Sequence, residues 1–269
     1  MTPYAHVIGD PIVHSKSPLI HGLWLERLGI DADYRAERVA PAALRGFLDL
    51  HREDPAWRGC NVTLPHKVAV LEHVADPGGV RDSIGAANTI FRGEGGVLTA
   101  TNTDAAGFVG PILDLPLAGA PVAVLGSGGA ARAVLFALGK LGVGPVTLFA
   151  RNALAGMGLL ARFGLKGRVL PFDAPLPPVR LLVNATSLGM TGQPPLLVDL
   201  APLPGDAIVY DLVYAPEITP LLAAADARGL ATVGGLDMLV GQAAVAFELF
   251  FGVAPPREHD EALFDRLAS

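Results

Sequence analysis

Lys67, in the stretch CNVTLPHKVAV (60–70), is an amine in an unfavourable place. The stretch reads as a short apolar strand, a Thr-Leu-Pro break and a helix opening at Pro65, because proline's missing N–H costs nothing at a first helical position. Lys67 then falls in the first turn, where unpaired N–H groups already concentrate positive charge, at a cost of about 0.3–1 kcal/mol. That cost alone is a hint, and its weight comes from neighbouring polar stretches. His14-Ser15-Lys16-Ser17-Pro18 offers two hydroxyls that either cap the following helix or bind a carboxylate. Asn61-Val62-Thr63 precedes Lys67, Asn88-Thr89 follows Gly85-Ala86-Ala87, and Asn102-Thr103-Asp104 comes later. Asp104 by itself reads as the N-cap of a helix over 105–118. Together these stretches offer hydroxyls, amides, one amine and one carboxylate. Such equipment suits a small polyhydroxylated acid, with Lys67 and Asp104 left to transfer a proton.

A second constellation is Gly126-Ser127-Gly128-Gly129-Ala130-Ala131, directly after an apolar run and opening a helical one. It satisfies the dinucleotide pattern G-x-G-x-x-G/A. Gly126 allows the tight turn, Gly128 lets a pyrophosphate approach, and Ala131 permits close helix–strand packing. An NAD site carries Asp or Glu about 20 residues further on. Here the next strand ends Phe149-Ala150-Arg151-Asn152, and no acidic residue occurs between Asp114 and Asp173. A guanidinium at Arg151 can fork onto a 2′-phosphate, so the pattern favours NADP over NAD.

These residues need a scaffold. The chain has 269 residues, 51% hydrophobic and 17% charged, enough for one large or two ordinary domains with a real core. A net charge of −6 without a long basic run argues against nucleic-acid binding. One cysteine, Cys60, excludes an internal disulfide framework and suits a reducing cytosol. No signal peptide or membrane-spanning run is expected, and the seven histidines contain no tight ligand pair, so no metal is expected. Strands are expected near 4–8, 33–38, 59–63, 88–91 and 97–101, with helices over 17–28, 41–53, 66–73 and 79–84. A second unit follows, with strands at 121–126, 146–150, 179–186, 207–214 and 231–235. Helices over 237–250 and 258–267 close the chain. The alternation predicts an α/β protein of two units with mostly parallel sheets. Pattern alone leaves open which unit takes the final helices.

Eight ordered blocks carry a resemblance: VIGDPIVHSKSPLIH, NVTLPHK, IGAANTI, TNTDAAGF, GSGGAARA, VNATSLGM, DLVYAPEITPLL and GLDMLVGQAAVAFELFFG. In these the chain resembles the shikimate dehydrogenase family nearly end to end. The resemblance implies reversible NADP-linked reduction of 3-dehydroshikimate to shikimate, in chorismate and aromatic amino-acid biosynthesis. It implies Lys67 and Asp104 as the catalytic pair. Ser15 and Ser17 would take the substrate carboxylate, and Thr63, Asn88, Tyr214 and Gln242 its hydroxyls or carboxylate. Gly126, Ser127, Gly128, Gly129, Ala130, Arg151, Asn184, Thr186, Leu212, Gly235 and Met238 would hold NADP. It also implies an N-terminal substrate-binding domain, residues 1–104 plus 237–269, and a Rossmann-type domain, 105–236, with the C-terminal helices returning to the first. A cytoplasmic monomer or homodimer acting on small molecules follows.

The chain departs from the family in three places. The block GLGMLV reads GLDMLV, with Asp237 beside the expected nicotinamide site. Gly241 replaces an often larger residue. The second arginine that usually follows Arg151 is missing at Leu154-Ala155, so modest NADP affinity is expected. Rival readings are a paralogue using quinate or another cyclic hydroxy acid, a folate-linked dehydrogenase, and a catalytically silent ligand sensor.

Overall fold

The computed structural model describes residues 1–268, which divide into two compact units. The first is Met1–Thr103 together with the chain from Val240 onward, and the second is Asp104–Leu239.

The first unit has a five-stranded mixed sheet. Its strands are β1 (Tyr4–Gly9), β2 (Asp33–Arg38), β3 (Trp57–Val62), β4 (Thr89–Arg92) and β5 (Leu98–Thr101), in the order β2-β1-β3-β4-β5. β1 pairs in parallel with β2 and β3, whereas β4 pairs antiparallel with both β3 and β5. The edge strand β2 reads DYRAER and buries only Tyr34, a charged border that discourages further strand pairing. Helix α1 (Ser17–Leu28) and α2 (Leu44–Arg52) supply apolar faces, and α3 is the short turn Val80–Ser83. Buried Ile8, Ile20, Trp24, Leu48, Trp57 and Ile90 form the centre.

The helix expected over 66–73 does not form. A cis Leu64–Pro65 bond leads into turns and then a single 3-10 stretch, Ala69–Glu72. Tertiary bonds hold this path: buried His66 places Nε2 2.7 Å from the Val39 carbonyl, and the Ala87 N–H donates to the Lys67 carbonyl at 2.7 Å. Lys67 therefore does not occupy the first turn of an α-helix.

The second unit opens with α4 (Asp104–Val109), which passes at Gly110–Ile112 into a 3-10 turn containing Pro111. Its sheet has six strands: β6 (Val122–Leu125), β7 (Val146–Phe149), β8 (Gly167–Leu170), β9 (Leu181–Asn184), β10 (Ile208–Asp211) and β11 (Ala231–Val233). All pair in parallel in the order β11-β10-β9-β6-β7-β8. Numbered within the unit this is 3-2-1-4-5-6 from the β8 edge, the doubly wound dinucleotide-binding arrangement. Both faces are covered, so the strands are apolar on both sides. Val122 and Val124 of β6 join one core cluster with Val134, Leu138 and Tyr210, while Ala123 and Leu125 join the other with Val209 and Leu222.

The connecting helices are α5 (Gly129–Lys140), α6 (Ala153–Arg162) and α7 (Pro220–Asp226). Helix α8 (Gly235–Phe251) starts in the second unit and from Val240 counts with the first. There Phe247 and Phe250 pack around His21, Trp24 and Tyr34, and the final helix α9 (Asp260–Ala268) lies against α1. Lys16 donates to the Leu267 carbonyl, tying α9 to the start of α1. Among the described residues no helix is long and apolar enough to cross a membrane.

Candidate active site

In the first unit the polar residues singled out from the sequence gather at the carboxyl ends of β1 and β3 and beside β4. Asn88, buried just before β4, is the hub. Its Oδ1 accepts from the Thr103 N–H at 2.7 Å and from Thr89 Oγ1 at 3.2 Å. Its Nδ2 donates to Thr103 Oγ1 at 2.9 Å and to Gln242 Oε1 at 3.4 Å. Thr103 Oγ1 lies 3.4 Å from the same Gln242 oxygen. Residues 88, 103 and 242, far apart in sequence, thus form one buried polar cluster. Thr103 is named in its polar stretch but given no role of its own from the sequence, although it sits inside the block TNTD.

Asn61 extends the network by donating to Thr89 Oγ1 at 3.0 Å and accepting from Tyr34 Oη at 2.6 Å. Burial is the main cause that holds the Tyr34 phenol well above its ordinary pKa. Ser17 is buried at the first position of α1, and Ser15 Oγ accepts its N–H at 3.3 Å. The residue that caps α1 is Lys16, which makes no side-chain cap, so the two hydroxyls are not spent on a normal N-cap. Thr63 and Lys67 are half-buried, separated by the turn that His66 anchors. Asp104 follows Thr103 directly, is buried, and opens α4.

The second unit carries the remaining residues. Gly126 has a φ of +104°, and a Cβ there would meet the Ala185 carbonyl oxygen at 2.9 Å, so the turn after β6 requires glycine. A Cβ on Gly128 would meet nothing within 4 Å, which leaves the motif open where a pyrophosphate must approach. Helix α5 then begins at Gly129 with no side-chain cap and no acidic residue in its first turn, so its N–H groups face that space. Arg151 is exposed just beyond β7. These residues fit a dinucleotide with a 2′-phosphate.

Asn184 behaves differently from the ligand contact that the resemblance implies. It is fully buried, and both of its side-chain groups are used twice. Oδ1 accepts from the Thr186 N–H (3.0 Å) and Thr186 Oγ1 (2.7 Å), while Nδ2 donates to Asp211 Oδ1 (2.8 Å) and the Leu188 carbonyl (3.2 Å). An amide has four such positions, so its side chain shapes the 184–188 loop and has none left for a ligand. Asp211 takes two more bonds, from Thr219 Oγ1 at 2.6 Å and the Val213 N–H at 3.0 Å, while burial raises its pKa. Asp211 and Thr219 are thus positioning residues that periodicity does not reveal.

Gly235 lies against backbone, since a Cβ there would sit 2.5 Å from the Leu212 oxygen. Met238 is buried in the core with Tyr210, which stacks on Phe108. Tyr214 is partly buried within the second unit, and burial raises its pKa.

Among the described residues one group, His6, Glu37 and His51, has metal-ligand composition, with its ligand atoms within 4.8 Å of one another. Its hydrogen bonds oppose that use. Trp57 Nε1 donates to His6 Nδ1 at 3.1 Å, so the neutral ring carries its proton on Nε2, 3.5 Å from Glu37. A metal on Nε2 would force an N–H at Nδ1 against the indole N–H. Burial, with His51 and Arg35 adding to it, pushes His6 down to about 4, while His51 Nδ1 is taken up by the Phe47 carbonyl at 2.8 Å.

Comparison with known proteins adds the chemistry. A family model described as the shikimate dehydrogenase substrate binding domain matches residues 7–90, and one described as the shikimate 5′-dehydrogenase C-terminal domain matches residues 235–262. A shikimate dehydrogenase (NADP(+)) of Sphingopyxis alaskensis is 63% identical over 262 residues, covering 97% of this chain and 96% of that protein. The structure of shikimate 5-dehydrogenase from Thermus thermophilus in complex with NADP(H) and shikimate is similar at a TM-score of 0.84 and 38% identity, over 99% of this chain and 100% of that one. Quinate dehydrogenase from Corynebacterium glutamicum in complex with NAD is similar at a TM-score of 0.87 and 29% identity, over 98% of this chain and 99% of that one.

Proposed function

The chain belongs to the shikimate dehydrogenase family, and from that premise we propose how its residues divide the work. It is an NADP-dependent oxidoreductase that reversibly reduces 3-dehydroshikimate to shikimate. Bound NADP supplies or accepts the hydride, and the protein's share is to orient the substrate and manage one proton. Substrate binding is assigned to the first unit and the dinucleotide to the second. Ser15 and Ser17 hold the carboxylate, and Thr63, Asn88, Tyr214 and Gln242 hold hydroxyls or the carboxylate. The bonds among Asn88, Thr103 and Gln242 fix two of these groups before substrate arrives, so less ordering remains to be done on binding. Lys67 donates the proton to the oxygen of the new alcohol in reduction and accepts it back in oxidation, with Asp104 as its partner.

The observation that carries this reading is the fit of the second unit to a 2′-phosphorylated dinucleotide. A 3-2-1-4-5-6 sheet places the open glycine turn at β6 and Arg151 at the end of β7, in a stretch without carboxylates. The enzyme is placed in the cytoplasm, as a monomer or homodimer without nucleic-acid or membrane partners.

Initial rates with shikimate and quinate, each with NADP and NAD, test the assignment, and shikimate with NADP should be the fastest combination. Lys67→Ala should bind NADPH normally while kcat falls by about a hundredfold or more. An alanine variant with near-wild-type kcat would remove Lys67 from the mechanism.

A further inference from the structure

Asp237 stands where the family pattern has glycine, in the first turn of α8. Of the residues Gly235, Leu236, Asp237 and Met238, it alone has an exposed side chain. A carboxylate in a first helical turn also favours the helix dipole, and that would explain it if nothing else were nearby. Its position in the sheet says more. The half of a doubly wound unit formed by β6, β7 and β8 carries the glycine turn and Arg151, and so takes the adenosine with its 2′-phosphate. The other half, β9, β10 and β11, is left for the nicotinamide mononucleotide. Asp237 emerges at the carboxyl end of that half, shortly after the Val233 terminus of β11. It is carried there by Gly235, whose α-carbon packs on the Leu212 and Val213 carbonyls that follow β10. The neighbouring Asp211 does not compete for this role, because it is fully buried and both of its oxygens are bonded.

Resting on the NADP reading above, we infer that Asp237 makes this protein discriminate between the two redox states of its cofactor, holding NADP⁺ more tightly than NADPH. The chemical basis is one charge. The oxidised nicotinamide ring is cationic and the reduced ring is neutral, while the rest of the molecule is the same in both states. A fixed carboxylate at the ring's end of the crevice therefore acts on the difference and not on the shared pyrophosphate.

Dissociation constants for NADP⁺ and NADPH, measured by titration calorimetry on the full chain, test this directly. Asp237→Asn should lower the ratio Kd(NADPH)/Kd(NADP⁺) by about three- to tenfold, the effect of removing one charge a few ångströms from a solvated cation. Asp237→Glu should keep the wild-type ratio, as should Glu217→Gln on the exposed loop after β10. In about 1 M salt the difference between wild type and Asp237→Asn should shrink. An unchanged ratio in Asp237→Asn, or equal shifts in both constants, would overturn the inference and leave Asp237 as a helix-dipole residue. Wild-type protein that binds neither nucleotide would instead overturn the cofactor reading, and this inference with it.

Discussion

Arg151 and Asn184 show how little a residue's type says until its bonds are known. Both belong to the expected cofactor set, yet one is exposed beyond β7 and the other is buried with every hydrogen-bonding position filled. Arg151 is therefore the side chain we propose for a 2′-phosphate, with no second arginine at Leu154-Ala155 to assist it. Arg151→Ala should raise the Kd for NADPH about tenfold, the loss of one charge-assisted contact, and leave the Kd for NADH unchanged. Fluorescence titration of both nucleotides checks this, and equal weakening of the two would refute the 2′-phosphate assignment. Thr103 makes the converse point. Threonine in TNTD is unremarkable as a letter, but its hydroxyl and N–H both bind Asn88, so it decides how that amide is presented.

At the scale of elements, the join between β10 and α8 is a tight constraint in the dinucleotide unit. Gly235→Ala would drive a methyl into the Leu212 and Val213 carbonyls, at 2.5 and 2.6 Å, and neither can swing aside as a side chain could. We expect a loss of about 1–3 kcal/mol in urea unfolding together with weaker NADP binding. A variant of wild-type stability and affinity would show that α8 can slide. α1, between Pro18 and Gly29, β2, and the run from β6 to α5 were legible from the sequence; in the last, apolar local pattern and tertiary burial agree. The stretch after β3 was not: proline at a first helical position is a sound local signal, but His66 bonded to Val39 and Ala87 bonded to Lys67 override it. β8, α6 and α7 carry weak patterns of their own. β8 is a four-residue edge strand, and α6 includes two glycines, which lower helix propensity. Their caps were nevertheless written in the sequence, as Asn152 accepting from Ala155 and Thr219 accepting from Leu222 ahead of Pro220.

For the whole molecule, two buried histidines contribute to the response to acid. Burial lowers His6 to about 4 and His21 to about 3, and neither ring nitrogen of His21 has a hydrogen-bond partner. Unfolded histidine takes up its proton near 6.5, so below that pH the unfolded chain binds more protons than the folded one. Their contribution to stability is therefore full above pH 6.5. It is lost as pH falls, until His6 protonates near 4 and His21 near 3, at up to about 1.4 kcal/mol per pH unit for each. His21→Phe should unfold at higher urea concentration than wild type at pH 7 and show a shallower decline between pH 6.5 and 4. Identical slopes for the two proteins would clear His21 of this role. Around the same histidine lies a feature with a consequence for biosynthesis. Its aromatic neighbours Trp24 and Tyr34 are packed by Phe247 and Phe250, which the ribosome delivers only after the whole second unit has been made. At about 5–20 residues per second, that is a wait of roughly 10–30 s. During it the early chain emerges with its apolar centre uncovered, and the inserted unit, contiguous in sequence, can close first.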